Sequence, residues 1–246
     1  MYKILFTSAL SPELKLVKSL IKETHNKSKI DFFVSEMGNY KTIFNLTKLF
    51  VEKEYDFVVN VGVCGFVKVA EAFQVSRIIN ISNNKELIVP THFEFLKLES
   101  IACSEKIVYS KDELLGEDYV DMESYGFEFV CDKFKIPRII LKVPYDEIGS
   151  LETKNRNQDK LTEKISCIDF EKLVNDIIVF LDCYKKGNND FSVYYSHYKF
   201  SFSEKLIFEK LYNRYTTLVG VDFDSFFEQN KTLSKKEFLK RLSDIN

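Results

Sequence analysis

The sequence predicts an α/β protein with a largely parallel sheet, followed by a small, mainly helical extension. Three observations carry this. The apolar runs Ile4-Leu5-Phe6 and Phe57-Val58-Val59 are continuous, as in strands covered on both faces. Between them, apolar residues recur at helical spacing with short connections, the alternation that builds a parallel sheet. After residue 187 that alternation stops and a stretch dense in Phe and Tyr begins. The expected domains are therefore 1–186 and 187–246.

The elements follow in order. Ser11-Pro12 is a good N-cap and first-turn pair, and Leu14, Val17, Leu20 and Ile21 lie at helical spacing after it. Ile30 to Val34 is a second strand. Gly38 breaks the chain, and Ile43, Leu46, Leu49 and Phe50 mark a second helix. Asp56 to Val61 is a third strand, expected to end at Gly62 and Gly65. Ile78–Ile81, Phe93–Leu98 and Ile101–Val108 are expected as strands without helices between them, so this part is antiparallel or mixed. A helix from Asp121 and a strand from Arg138 restore the alternation. Residues 150–164 are polar and pattern-free, as in a mobile loop. Phe170, Leu173, Val174, Ile177, Ile178 and Leu181 then form one apolar helical stripe. Lys185 to Asp190 is a turn or linker. Helices are expected near Ser203 and Ser234, the latter with a capping box to Glu237.

Composition narrows the function. The chain has 246 residues, 45% hydrophobic, with 35 basic against 37 acidic side chains, so no nucleic-acid or anionic-membrane surface is expected. No apolar run approaches the roughly 20 residues that span a bilayer. Cys64, Cys103, Cys131, Cys167 and Cys183 are widely spaced with no CxxC pair. Reduced thiols in a cytoplasmic protein are the expectation, with no metal site and no disulfide framework.

Three acids stand where strands give way to helices or end. Glu13 follows the first strand, Glu123 opens a helix, and Asp146 ends the strand of Lys142. All three fall near the C-terminal edge of a parallel sheet, where ligands bind in α/β folds. They could converge on one site, or serve as caps and dipole partners.

At these residues the chain resembles the purine nucleoside phosphorylase and nucleosidase superfamily, on the branch of methylthioadenosine/S-adenosylhomocysteine nucleosidases and futalosine hydrolases. Lys3-Ile4-Leu5 with Ala9 and Glu13 is similar to the family's first strand and its glutamate. Asn60-Val61-Gly62-Val63-Cys64-Gly65 looks like its Asn-x-Gly-x-x-Gly turn. Val120-Asp121-Met122-Glu123 is similar to its Val-Asp-Met-Glu motif, and Lys142 and Asp146 stand where the family has Arg-x-x-x-Asp. The resemblance covers roughly residues 1–183. It implies a three-layer α/β/α fold around a mixed, mostly parallel sheet, a cofactor-free enzyme, a purine nucleoside as ligand and a homodimer.

The chemistry suits those residue types. Cleaving an N-glycosidic bond passes through an oxocarbenium-like sugar and needs an acid for the leaving base, a positioned water and a grip on the ribose. By resemblance, Asp146 would protonate the purine, Glu13 would activate water, and Glu123 would hold the ribose hydroxyls with Met122 packed on the sugar. Gly65, Ile107, Val108 and Lys142 complete the implied binding set. Phosphorolysis is the alternative reaction, but Thr7 to Pro12 offers neither glycine nor a basic residue for a dianion, and Glu13 would repel it. A further alternative is a nucleoside-binding regulatory protein on a degenerate scaffold. The sequence departs from the family pattern at four places. Lys142 replaces an arginine, Val63 a hydroxyl residue and Glu36 a glycine, and Ile107-Val108 align with a segment where an aromatic usually stacks on the base. His92 is a candidate sugar contact or a structural residue. The aromatics beyond 187 are expected to pack as a cap on the main domain or a second subunit, in preference to a docking module or lid.

Overall fold

The structure is a computed structural model and describes residues 1–21, 27–69, 71–149, 158–187, 191–219 and 223–244. Two compact units divide the chain, Met1–Tyr184 and Lys185–Asn246.

The first unit runs β1 (Tyr2–Ser8), α1 (Ser11–Leu20), β2 (Ser28–Val34), α2 (Asn39–Glu52), β3 (Phe57–Phe66), β4 (Phe73–Asn80), β5 (Lys85–Ile88) and β6 (Leu98–Cys103). A 3₁₀ turn, Lys111–Leu114, leads to β7 (Tyr119–Asp121), α3 (Ser124–Phe134), β8 (Arg138–Glu147), α4 (Gln158–Ile165) and α5 (Phe170–Gly187). The sheet is mixed and mostly parallel. β2, β1, β3 and β8 run parallel in that order, and β4, β6 and β7 likewise. Antiparallel pairing joins β3 to β7, β8 to β4 and β4 to β5. Hydrogen bonding therefore closes a ring, β3-β8-β4-β6-β7, with β1 and β2 as a wing. Alternation along the strands splits the core into two layers. Phe57, Val59, Val61, Ile139, Leu141 and Val143 share one cluster with residues of α1, α4 and α5. Val58, Cys64 and Ile140 share the other with residues of α2 and α3.

Several sequence expectations are corrected. β3 does not stop at Gly62 but continues through both glycines, with a bulge between Cys64 and Gly65. β8 pairs with β3 along its length, while on the other edge β1 pairs with the first half and β7 with the end beyond the bulge. Phe93 to Lys97 is irregular, not a strand. Gln74 supplies the hydrogen bonds a neighbouring strand would give, donating to the Phe93 carbonyl at 3.1 Å and accepting from the Phe95 N–H at 2.9 Å. Beyond Cys103 the chain leaves the sheet, so Ile107 and Val108 lie in a connection. α3 begins at Ser124, three residues after Asp121, and α1 has Leu10, not Ser11, at its N-cap position. Residues 158–165 are helical although their sequence is polar. Leu161 and Ile165, four apart, bury one side of that helix. Each such burial is worth about 1.5–3 kcal/mol. The rest of the expected loop, 150–157, lies outside the described residues. Lys185 to Gly187 belong to α5, and the remainder of that expected linker also lies outside them.

The second unit holds α6 (Ser192–Tyr198), α7 (Phe202–Val219), α8 (Phe223–Asn230) and α9 (Lys235–Ser243). Ser234 caps α9, and Glu237 returns the bond to the Ser234 N–H at 3.0 Å. Tyr194, Tyr198, Phe208, Phe223, Phe227 and Phe238 are buried in a single cluster. These rings make a core within the unit. No described helix is long and apolar enough to cross a membrane.

α2 and α3 meet at Gly126, whose N–H donates to the Asn39 side-chain oxygen at 2.7 Å. A Cβ at Gly126 would lie 2.7 Å from the Asn39 carbonyl oxygen, closer than any real contact. Gly126→Ala is therefore expected to lower stability by about 1–3 kcal/mol. That outweighs the ~1 kcal/mol gain in helix propensity. Urea unfolding of the intact chain measures it, and an unchanged or raised midpoint would contradict so close an approach.

Candidate functional site

Two strands and two helix starts deliver the charged groups. β1 leads through Ala9 and Leu10 into α1, whose third position is Glu13. The Glu13 carboxylate turns back to accept the Leu10 N–H at 3.3 Å and is only 2% exposed. On β8, Lys142 pairs in register with Gly62, and Asp146 with Gly65 across the bulge. The Lys142 ammonium and the Glu13 carboxylate both hover over Gly62, where a Cβ would lie 3.4 Å from Lys142 Nζ and 3.8 Å from Glu13 Oε2.

β7 and the start of α3 close the other side. Asp121 accepts the Ser124 N–H at 3.1 Å and the Ser124 hydroxyl, so it is Asp121 that caps α3. Its carboxylate also lies 2.7 Å from Lys142 Nζ, with both side chains buried. Glu123 does not cap the helix. Its carboxylate accepts the Gly38 N–H, at 3.3 Å, from the turn before α2.

These groups line one cavity of about 470 Å³. Glu13, Gly65, Ile107, Val108, Met122, Glu123, Lys142 and Asp146 all stand on its wall. Sequence reasoning missed other residues of this wall. Tyr109, one residue beyond Val108, brings an aromatic ring to the segment where none was expected. Leu10 and Met37 add apolar surface, and Asp121 adds a carboxylate. A lysine inside the apolar run Ile139 to Val143 was the available signal for Asp121, because a buried ammonium demands a buried acid. His92 lies elsewhere. Its ring packs on Phe57 and Phe180, and Phe57 begins β3 at the end opposite Gly62. Arg138 is also remote, buried against Glu128 at the start of β8. Among the described residues no group of three or more His, Cys, Asp or Glu could hold a metal ion.

The electrostatics are dominated by burial. Burial pushes the Glu123 pKa up to about 7, Asp121 and then Glu13 adding to the shift, while Lys142 and the Gly38 N–H oppose it. For Lys142 burial works against the charge, but Asp121, Glu123 and Glu13 outweigh it and hold the ammonium above its ordinary range. The site is therefore one fixed cation among several acids, with apolar walls at Leu10, Met37, Val63, Val120 and Met122. It can hold a neutral, hydroxyl-bearing ligand and can offer carboxyl groups as acid, base or hydrogen-bond acceptor.

No protein-family model and no curated protein sequence matches the chain. Solved structures do. An MTAN (methylthioadenosine/S-adenosylhomocysteine nucleosidase) variant from Chlamydia trachomatis aligns with a TM-score of 0.59 at 20% identity, covering 71% of this chain and 99% of that one. A mutant of the Helicobacter pylori MTAN with 5′-methylthioadenosine in its active site aligns at 0.60 and 15%, covering 72% and 99%. A futalosine hydrolase mutant of Helicobacter pylori aligns at 0.58 and 14%, covering 72% and 100%. At such identities the likeness is one of fold, and by it this chain has a nucleoside phosphorylase/nucleosidase-like fold.

Proposed function

We propose that the first unit is a purine nucleoside N-ribosyl hydrolase, acting on a methylthioadenosine/S-adenosylhomocysteine-like or futalosine-like nucleoside. The observation behind it is the meeting of Glu13, Glu123 and Asp146 on the wall of a single cavity. In this reading Asp146 protonates the leaving purine. Glu13 orients and deprotonates the attacking water, and Glu123 accepts hydrogen bonds from the ribose hydroxyls while Met122 packs on the sugar. Carboxylates beneath the ring also favour the positive charge that develops there. Gly65, Ile107, Val108 and Tyr109 form the surface offered to the base.

The charge balance supports water over phosphate as nucleophile. Glu13, Asp121, Glu123, Asp146 and Glu147 line the cavity against Lys142 and Lys106. An inorganic dianion would enter a site already short of positive charge. The second reading, a nucleoside-binding regulatory protein, has one observation in its favour: the C-terminal unit builds its own aromatic core, as an independent module does. We also propose a homodimer. Tyr40, Phe44 and Val51 are exposed at 78%, 69% and 73% on one face of α2. Such a stripe is the kind of surface that a partner covers. Sedimentation of the intact chain as a dimer fits this, and a monomer excludes it.

Purified protein is expected to release free base from at least one of methylthioadenosine, S-adenosylhomocysteine, futalosine, adenosine and inosine, without phosphate. Base release only with added phosphate would make it a phosphorylase, and tight binding without release would favour the regulatory reading. Asp146→Asn is expected to cut turnover by about 10²–10⁴-fold with the fold intact. Full activity in that variant removes Asp146 as the acid.

Glu123 links function to stability. A carboxyl that keeps its proton to about 7 when folded, but releases it near 4.5 unfolded, binds more protons in the folded chain between those values. Stability from this group therefore falls as pH rises through that window. Glu123→Gln is expected to raise stability at pH 8 by about 1–3 kcal/mol, with the gain vanishing below pH ~4.5. The same variant should bind substrate worse, with KM rising more than kcat falls. Denaturation at the two pH values and steady-state kinetics measure both.

A further inference from the structure

Lys142 is the position at which this chain departs most pointedly from the arginine of the resembled motif. Lysine carries a point charge on a flexible stem and lacks the planar fork that orients arginine. Some other group must hold its head in place. At 1% exposure the residue is withdrawn from bulk solvent. The structure supplies one short contact, Asp121 Oδ2 at 2.7 Å. The same carboxylate accepts the Ser124 N–H and hydroxyl, so it is itself clamped by the first turn of α3. Asp121 thus joins β7, the start of α3 and β8 at a single point. Glu123 stands two residues along the chain, and the Glu13 carboxylate shares the Gly62 backbone with the ammonium.

We propose, building on the nucleosidase reading, that Asp121 is a positioning residue that fixes the Lys142 ammonium over Gly62 as a cation serving Glu13 and Glu123 together. Its carboxylate contact gives direction to a head that has no planar fork of its own. An ammonium has three donors, and Asp121 takes one of them. The charged and titratable groups around Lys142 are Asp121 on β7, Glu123 at the start of α3, Glu13 on α1 and the Cys64 thiol on β3. Asp121 in turn faces the Cys103 thiol on β6. Burial keeps both thiols protonated, so it is the acids that balance the charge of Lys142. Loss of the Asp121 charge leaves an ammonium whose burial is opposed only by Glu123 and Glu13. Its pKa falls and its head is free to turn.

The test uses the full chain with ¹⁵N-labelled lysine, the Lys142 signal being assigned by its loss in Lys142→Met. In Asp121→Asn the Lys142 amine is expected to titrate about one pH unit or more below the wild-type value. The value of kcat is expected to fall about 10- to 100-fold with KM changed far less. In the Lys142→Met background, Asp121→Asn is expected to add little, because the residue acts through the lysine. Asp121→Glu keeps the charge but displaces it by one methylene. It should leave the amine protonated while still lowering kcat, and it serves if Asp121→Asn does not fold. An unshifted Lys142 titration in Asp121→Asn, multiplicative losses in the double variant, or full kcat in Asp121→Glu would overturn the proposal. Absence of base release by the wild type would overturn the nucleosidase reading instead, and the lysine titration would still decide the pairing.

Discussion

A lysine buried in the middle of a sheet constrains nearly everything near it. Moving an ammonium out of water costs several kcal/mol after relaxation, so the fold must surround it with acids. Asp121 meets that demand by direct contact, and Glu123 and Glu13 add to it at longer range. The other requirements follow. Gly62 lies directly beneath the Lys142 and Glu13 heads. The end of β3 beyond the bulge pairs with β7, which carries Asp121. α3 must begin immediately after it, because Asp121 is also that helix's cap. The site's acidity, its cation and its wall are one arrangement, and Glu123 bears the cost as a carboxyl reluctant to ionise.

Much of this was legible in the sequence, and the illegible parts share a cause. Continuous apolar runs marked β1, β3 and β8 because strands covered on both faces need no alternation. The stripe from Phe170 to Leu181 marked α5 for the same reason of burial. β7 was missed because three residues show no period, and it exists only through pairing with β3 and β6. Phe93 to Lys97 looked like a strand because its rings are apolar, but those rings pack on the core while Gln74 satisfies the backbone. α4 was missed because two buried side chains in a polar stretch fall below any pattern. The residues on the cavity wall were readable from motif order. The Asp121–Lys142 contact was not, since it joins distant strands, although the lysine in an apolar run announced that some partner existed.

The C-terminal unit shows how a short segment can sustain its own core. Below about 70–80 residues an ordinary core is marginal, and rings that bury large areas help to offset this. Tyrosine adds polar anchoring at the edge. Tyr198 donates to the Asn230 carbonyl at 3.1 Å, while Tyr194 and Tyr195 donate to Asp224 and Glu209. The helices are thereby pinned both through stacked rings and through hydroxyl contacts that cross between them.

β7 closes the ring with only two residue pairs to each neighbour, Gly65–Val120 and Phe66–Tyr119 on one side, Ala102–Val120 and Cys103–Asp121 on the other. Local opening of a protein follows its least-contacted seams, and those seams set where amide hydrogens exchange ahead of global unfolding. Here one short seam carries Asp121 and is followed directly by Met122 and Glu123, while the equally short β4–β8 joint, Phe73–Lys142 and Gln74–Leu141, carries Lys142 beside its long pairing with β3. Two-pair joints thus flank both partners of the buried ion pair, and their amides are the ones to exchange ahead of those in the long β3–β8 pairing.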